Sequence, residues 1–303
     1  MMMKKRFLLA SALVPALLAA SGPASASRPS EDDPIVVTGQ VMKRGDAHAL
    51  ARDFTRAVMA SSVADQNARW AAPLCIGAIG LRPEVATPLI DRIEAMALAV
   101  GARVAKGDCQ PNVMLAFAQD GDAVFANLSK NRPDLLIDTR AEERRKLRMA
   151  GLPVRWFYGQ TVEGLGGRQV GQIAPGLRQG AVALFDLPIL NHGTVSRINS
   201  PAQVSIEGAT FVIDVPRVAH VSFNALADYL AFGILSRTRV DASPSGSSIM
   251  NLFNASASAL PEGMTDLDTA MLTALYKIPI NRTAIVHRNQ MASEMIKAIA
   301  LSQ

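Results

Sequence analysis

The residue types that could do chemistry concentrate between Thr210 and Lys277, and they are polar groups without a complete catalytic set. Asn224, Asp228 and Asp241, with the serine-rich loop around Ser245–Ser248, are the candidates for a hydrolytic site, because a hydrolase needs a carboxylate poised as general base near a nucleophile or water. His220 lies just ahead of the apolar segment carrying Asn224 and Asp228, and is the one imidazole placed to join them at a metal. The chain has four histidines, and the other three, His48, His192 and His287, are scattered. None begins an H-E-x-x-H run.

Other chemistries lack their signatures. Ser245-Gly-Ser-Ser248 is not a G-x-S-x-G elbow, which needs a strand running into a sharp turn. Asp91 and Glu94 lie three apart on a helical segment, with Arg92 between them as the partner of a surface salt-bridge network. Gly164-Leu-Gly-Gly-Arg-Gln-Val-Gly171 lacks the strand–G-x-G-x-x-G–helix order of a dinucleotide cradle and reads as turn chemistry. Trp70, Trp156 and Tyr158 could stack on a sugar, but aromatics make up only 5% of the chain, so they are assigned to the core. Two cysteines without neighbouring histidines make no metal site.

The elements that must position these groups follow from periodicity and punctuation. Thr210–Val215 is strand-like and is expected to close a sheet. Ser222 caps a helix to Ser236, with Phe223, Leu226, Leu230 and Ile234 as its core-facing stripe and Gly233 marking close approach of another backbone. Asp228 is expected at the surface or as a capping partner. Thr265 starts a second helix, with Asp266 and Asp268 where the dipole favours them and Met271, Leu272 and Leu275 buried. Upstream, the strands Leu74–Leu81 and Val113–Ala118 alternate with helices over Pro83–Val100 and Val124–Leu136, as in an α/β layer. A helix over His48–Ala60 precedes them. Arg140–Met149 is also helical, and its R-A-E-E-R-R-K-L-R run reads as a solvated face with i,i+4 pairs.

Further strands are expected at Val154–Tyr158, Ala181–Leu190 and Ala202–Ile206, with a loop or β-excursion over Gly159–Gly180. Ile35–Gly39 is a short strand or extended tail. Met291, Met295, Ile296 and Ile299 give the last segment, 284–303, the spacing of an amphipathic helix.

The order L-A-D-Y … S-I-x-N-L-F … T-x-x-D-x-x-x-L-x-A-L-Y, together with Cys109-Gln-Pro-Asn-Val113, resembles a family of exported alphaproteobacterial proteins of unknown function over most of residues 69–277. More distantly, it is similar to predicted metallopeptidase-like domains in which an H-E-x-x-H helix precedes such a run. That resemblance implies a zinc-binding helix at 224–228. Here Asn224, Ala225 and Asp228 stand where His, Glu and His belong, so two ligands and the base are missing. The resemblance therefore implies a degenerate fold kept for binding.

The N-terminus reads as an export signal. Lys4, Lys5 and Arg6 precede an apolar core, Phe7–Ala20, and Ala24-Ser-Ala26 offers small residues for cleavage after Ala26. The core is too short to span a bilayer. Residues 27–34 are a flexible mature start, 35–283 a single domain, and no transmembrane anchor is expected after processing. Cleavage removes three of the five net positive charges, leaving no electrostatic footprint for nucleic acid. In an oxidising compartment, Cys75 and Cys109 are expected to pair.

The expected fold is α/β or α+β, a mixed sheet with helices packed on it and a helical C-terminal cap. The expected function is a non-catalytic binding or structural role in the periplasm or outside the cell, without a cofactor. Its partner is an envelope protein, bound for instance by the C-terminal helix, or a small ligand. The alternative is a secreted hydrolase with a site near Asn224, Asp228 and Asp241.

Overall fold

A computed structural model describes residues 35–37, 40–60, 66–164, 197–200, 202–254 and 260–301. The signal segment with Ala24 and Ala26, residues 27–34, His192, the Ala181–Leu190 strand and the later part of the glycine-rich excursion lie outside these.

The elements run β1 (Ile35–Val37), β2 (Gln40–Met42), α1 (Arg44–Val58), β3 (Arg69–Trp70), β4 (Ile76–Ile79), α2 (Pro83–Ala99), β5 (Val113–Ala118), α3 (Gly121–Asn131), α4 (Ala141–Leu147), β6 (Val154–Gly164) and β7 (Ala202–Asp214). They continue with α5 (Val215–Val218), α6 (Phe223–Leu235), α7 (Asp266–Lys277) and α8 (Ala284–Leu301). The fold is α/β, as expected, around one mixed five-stranded sheet. β1 and β2 form a separate hairpin, so the Ile35 strand has a partner that sequence did not suggest.

Two expected strands, Ala202–Ile206 and Thr210–Val215, are one strand, and it lies inside the sheet rather than closing it. β6 runs antiparallel along β7 from Val154↔Ile213 to Gly164↔Ala202. β5 and β3 run parallel to β7 at residues 209–214 and 205–206, and since β6 occupies one edge throughout, they share the other. β4 extends the sheet beyond β5. The register shifts between Gly159 and Gln160, where Glu207 is the extra residue, a bulge that lets two long strands keep pairing through their twist. Gly159–Gly164 is thus strand, not loop.

Local sequence explains the helix ends. Pro83 occupies the first turn of α2, and Gly101 follows it at φ +89°, a left-handed stop that favours glycine. Asp120 accepts from the Ala123 amide at 2.9 Å and starts α3. That helix ends before Pro133, and Pro133–Leu136 forms a separate 3₁₀ turn. Proline disfavours helix in the residue before it, so the continuous Val124–Leu136 helix does not form.

The largest departure is α6. Every residue from Ala227 to Leu235 is buried, whereas Phe223 is 42% exposed. The helix has no solvent face over most of its length, because it packs against α2, α7 and the Ile249–Asn251 turn, with Phe211 of β7 set against Gly233. The expected single stripe therefore fails at Phe223, which sits in the exposed first turn. At Gly233 the close neighbour is a ring: a methyl group there would come within 3.0 Å of Phe211 Cε1.

Trp156, Tyr158, Phe211, Tyr229 and Phe253 join in a chain of ring contacts with centroids 5.0–6.3 Å apart. Such pairs contribute about 0.5–1.5 kcal/mol each beyond area burial. Trp70, Trp156 and Tyr158 are core residues, as assigned from sequence. The stripe of α8, Met291, Met295, Ile296 and Ile299, is buried, and α8 packs against α1 and α7. Cys75 and Cys109 are disulfide-bonded, tying the entry of β4 to the approach to β5.

Candidate functional site

Asp228 is neither a surface residue nor a cap. It is 3% exposed, and its Oδ1 accepts from Arg92 Nε at 2.7 Å. Its Oδ2 accepts from the Met264 amide at 2.9 Å. The carboxylate so fastens α2 and the approach to α7 onto α6. Arg92 leaves its helix neighbours: Glu94 is pushed above the usual carboxylate range, first by burial and then by Asp91, the opposite of a shared salt-bridge network. A methyl group at Gly263 would lie 2.7 Å from Asp228 Oδ2, so that approach is closed to side chains.

Asn224 and His220 are exposed. His220 meets the edge of Phe253, centroids 6.2 Å apart. Neither hydrogen-bonds to Asp228 or Asp241. Among the described residues no three His, Cys, Asp or Glu side chains gather in a metal-holding group.

Asp268 is fully buried and does more than favour a helix dipole. It accepts from Ser248 Oγ at 2.6 Å, the Ile249 amide at 2.7 Å, and the Thr265 amide and hydroxyl at 2.9 Å each. The serine-rich loop is thus held by a carboxylate at the start of α7, and Ser248 is a structural hydroxyl. The sequence signal was the Thr265–Asp268 capping box; its link to Ser248 spans 20 residues and left no local trace. Arg155 was likewise missed within an aromatic strand. It is 1% exposed, pairs with Asp122, and donates to the carbonyls of Leu147 and Met149, closing the end of α4.

Asp241, by contrast, lies at a concave surface. It lines a cleft of about 380 Å³ between α1, α4, the segment after α6 and the start of α8. Lys146 Nζ lies 2.8 Å from Oδ2, and Arg239 approaches both oxygens at 3.3 and 3.2 Å. Partial burial alone would raise its pKa, but the hydrogen bonds from Arg239 and Lys146 outweigh it and bring it down to about 2. A carboxylate held there is a poor proton acceptor near neutrality. The cleft's cations are Arg56, Arg140, Lys146, Arg239 and Arg288, against the carboxylates Glu142, Glu143 and Asp241. Cations predominate, and the carboxylates are engaged: Lys146 also holds Glu142 at 2.8 Å, and buried Arg237 holds Glu143 at 3.0 Å.

Behind this cleft lies His287, 1% exposed. Its Nδ1 accepts from the Asn67 amide at 3.4 Å, and its Nε2 has no hydrogen-bond partner among the described residues. Burial, and then the nearby Arg69 and Arg288, bring its pKa down to about 4. It is a neutral imidazole at physiological pH.

Comparison with known protein families, characterised proteins and solved structures finds no match to the chain.

Proposed function

We propose that this is an exported bacterial envelope protein, periplasmic or secreted, with a non-catalytic binding role, and that a small carboxylate-bearing ligand occupies the cleft at Asp241. The observation that carries this reading is the charge balance of that cleft. Its acidic groups are already tied to cations, while Arg288 at its rim is exposed and has no acidic partner among the described residues. An incoming carboxylate would meet guanidinium groups of the kind that recognise it bidentately. Support for export is the signal-like N-terminus together with the disulfide, which persists in oxidising compartments. No described helix is long and apolar enough to cross a membrane.

The resemblance to metallopeptidase-like domains fits the same proposal. On that reading α6 descends from a zinc-binding helix, and Asp228 has been recruited to hold Arg92 and the approach to α7. The test is thermal melting of the purified chain against a panel of small mono- and dicarboxylates. A concentration-dependent rise in Tm that Arg288→Ala removes supports the proposal. Peptide hydrolysis that Asp228→Asn or Asp241→Asn abolishes, with no fall in Tm, would replace it with the hydrolase.

A further inference from the structure

The basic run of α4 divides between two faces. Glu142, Glu143 and Lys146 point to the cleft already described, where Lys146 is consumed by Glu142 and Asp241. Arg144, Arg145 and Arg148 lie on the other side and, with Ser129, Pro133 and Leu136, line a separate groove of about 540 Å³ between α4, α3 and the Pro133–Leu136 turn. Among the described residues, no carboxylate lines it. None of the three arginines forms an ion pair among the described residues, and their side chains make one long hydrogen bond there, from Arg144 Nη1 to the Leu136 carbonyl at 3.4 Å. Ser129 Oγ is buried at the groove with no hydrogen-bond partner among the described residues. The expected solvated face therefore holds, Arg145 and Arg148 being exposed, but its i,i+4 pairing is confined, among the described residues, to Glu142–Lys146.

We propose that this groove binds a phosphate group. Three guanidiniums within one and a half turns of helix, none of them ion-paired among the described residues, offer N–H donors of the kind that match phosphate oxygens. The Ser129 hydroxyl supplies a neutral donor on the facing helix, and a hydroxyl left without a partner is otherwise a cost to the fold. Pro133 and Leu136 supply an apolar wall, which lowers the local dielectric and strengthens the contact. This site is independent of the cleft at Asp241 and does not rest on its ligand.

The same group could arrive as a free phosphate ester or as the headgroup of an anionic lipid, and two probes separate these. The chain, purified with its disulfide intact, is titrated calorimetrically with inorganic pyrophosphate and, separately, sedimented with phosphatidylcholine vesicles containing phosphatidylglycerol. Binding to pyrophosphate, weakened by salt, is the expected result; binding to the vesicles as well, or to them alone, assigns a lipid source.

Arg145→Ala/Arg148→Ala should weaken binding by about tenfold or more, two charge-assisted contacts being lost. Both side chains are exposed, so the melting temperature should not change. Arg82→Ala/Lys106→Ala removes two exposed cations elsewhere and should leave binding intact. No binding to either probe, or an equal loss in both variants, overturns the site.

Discussion

Tyr158 Oη lies 2.7 Å from the carbonyl oxygen of Gly233, so a side chain of β6 caps the buried end of α6. A helix leaves its last four carbonyls without intrahelical donors, and here water cannot reach them. Phe232 O accepts from the amide and hydroxyl of Ser236, and Ile234 O accepts from Trp70 Nε1 at 2.6 Å. Leu235 O accepts from Tyr276 Oη at 2.9 Å. The polar tips of aromatics from β3, β6 and α7 thus do the work of a C-cap.

Tyr158→Phe should destabilise the protein by about 1–3 kcal/mol, the cost of a buried polar group left unpaired. The Thr238 amide, which donates to the same oxygen at 3.2 Å, would lose its acceptor too. In a chain of this size the loss corresponds to a fall of several degrees in Tm. Urea denaturation measures it directly; a change within about 0.5 kcal/mol, as at an ordinary surface site, would rule the capping role out.

Asp228 and Arg92 should behave as a structural pair. Asp228→Ala strands the Arg92 guanidinium and frees the Met264 amide, costing about 2–3 kcal/mol, discounted because the Arg92 side chain is 38% exposed. Arg92→Ala should cost at least as much, because it leaves the buried Asp228 carboxylate with the Met264 amide but without its cation. A double-mutant cycle on urea stability should give a coupling above about 0.5 kcal/mol. Additive effects would show that the contact contributes nothing.

These two clusters mark where sequence legibility stops. Ser222, Thr265 and Pro83 announced helix starts because caps act within a few residues. Val113–Ala118 and Leu74–Leu81 announced strands because a buried strand is a short apolar run. What failed was long-range. Nothing near Asp228 in the chain points to Arg92, 136 residues away. Nor does anything in Ala202–Val215 say that two strand-like pieces are one central strand, since that depends on β6 and β5 flanking it. The all-round burial of α6 is written in its composition, for an apolar helix without charges on one side has no solvent face. The cleft at Asp241 was half legible: the candidate residue and its neighbour Arg239 lie together in the chain, while the other cations come from α1, the start and body of α4, and α8.

The disulfide should matter thermodynamically. It closes a loop with a sequence separation of 34, which in the chain-entropy model stabilises the fold by roughly 3–4 kcal/mol. Cys75→Ala/Cys109→Ala should lose most of that in urea denaturation, and reductant should lower the Tm of the natural chain but not of the variant. Equal melting of oxidised and reduced protein would mean that the hydrogen bonds of Asn112 to Cys75 and Pro73 hold the same junction unaided.

His287 should make stability depend on pH within a definite window. Its folded pKa, about 4, lies below the ordinary histidine value of 6.5, so the unfolded chain takes up a proton that the folded chain refuses. The sign follows: its full contribution is present above pH 6.5 and is lost as pH falls toward 4. The span amounts to about 3 kcal/mol at most. The charged groups identified as acting on the ring, Arg69 and Arg288, are both cations, and each opposes protonation. Asp241 titrates near 2 and does not contribute inside the window, although other carboxylates begin to near its lower end. The informative quantity is therefore the difference between the natural chain and His287→Gln, whose side chain retains an acceptor for the Asn67 amide. Unfolding free energies measured at half-unit steps from pH 7 to 4.5 should converge as pH falls, the natural chain losing stability faster. Parallel curves would mean that the imidazole takes up its proton as readily in the folded state as in the unfolded one.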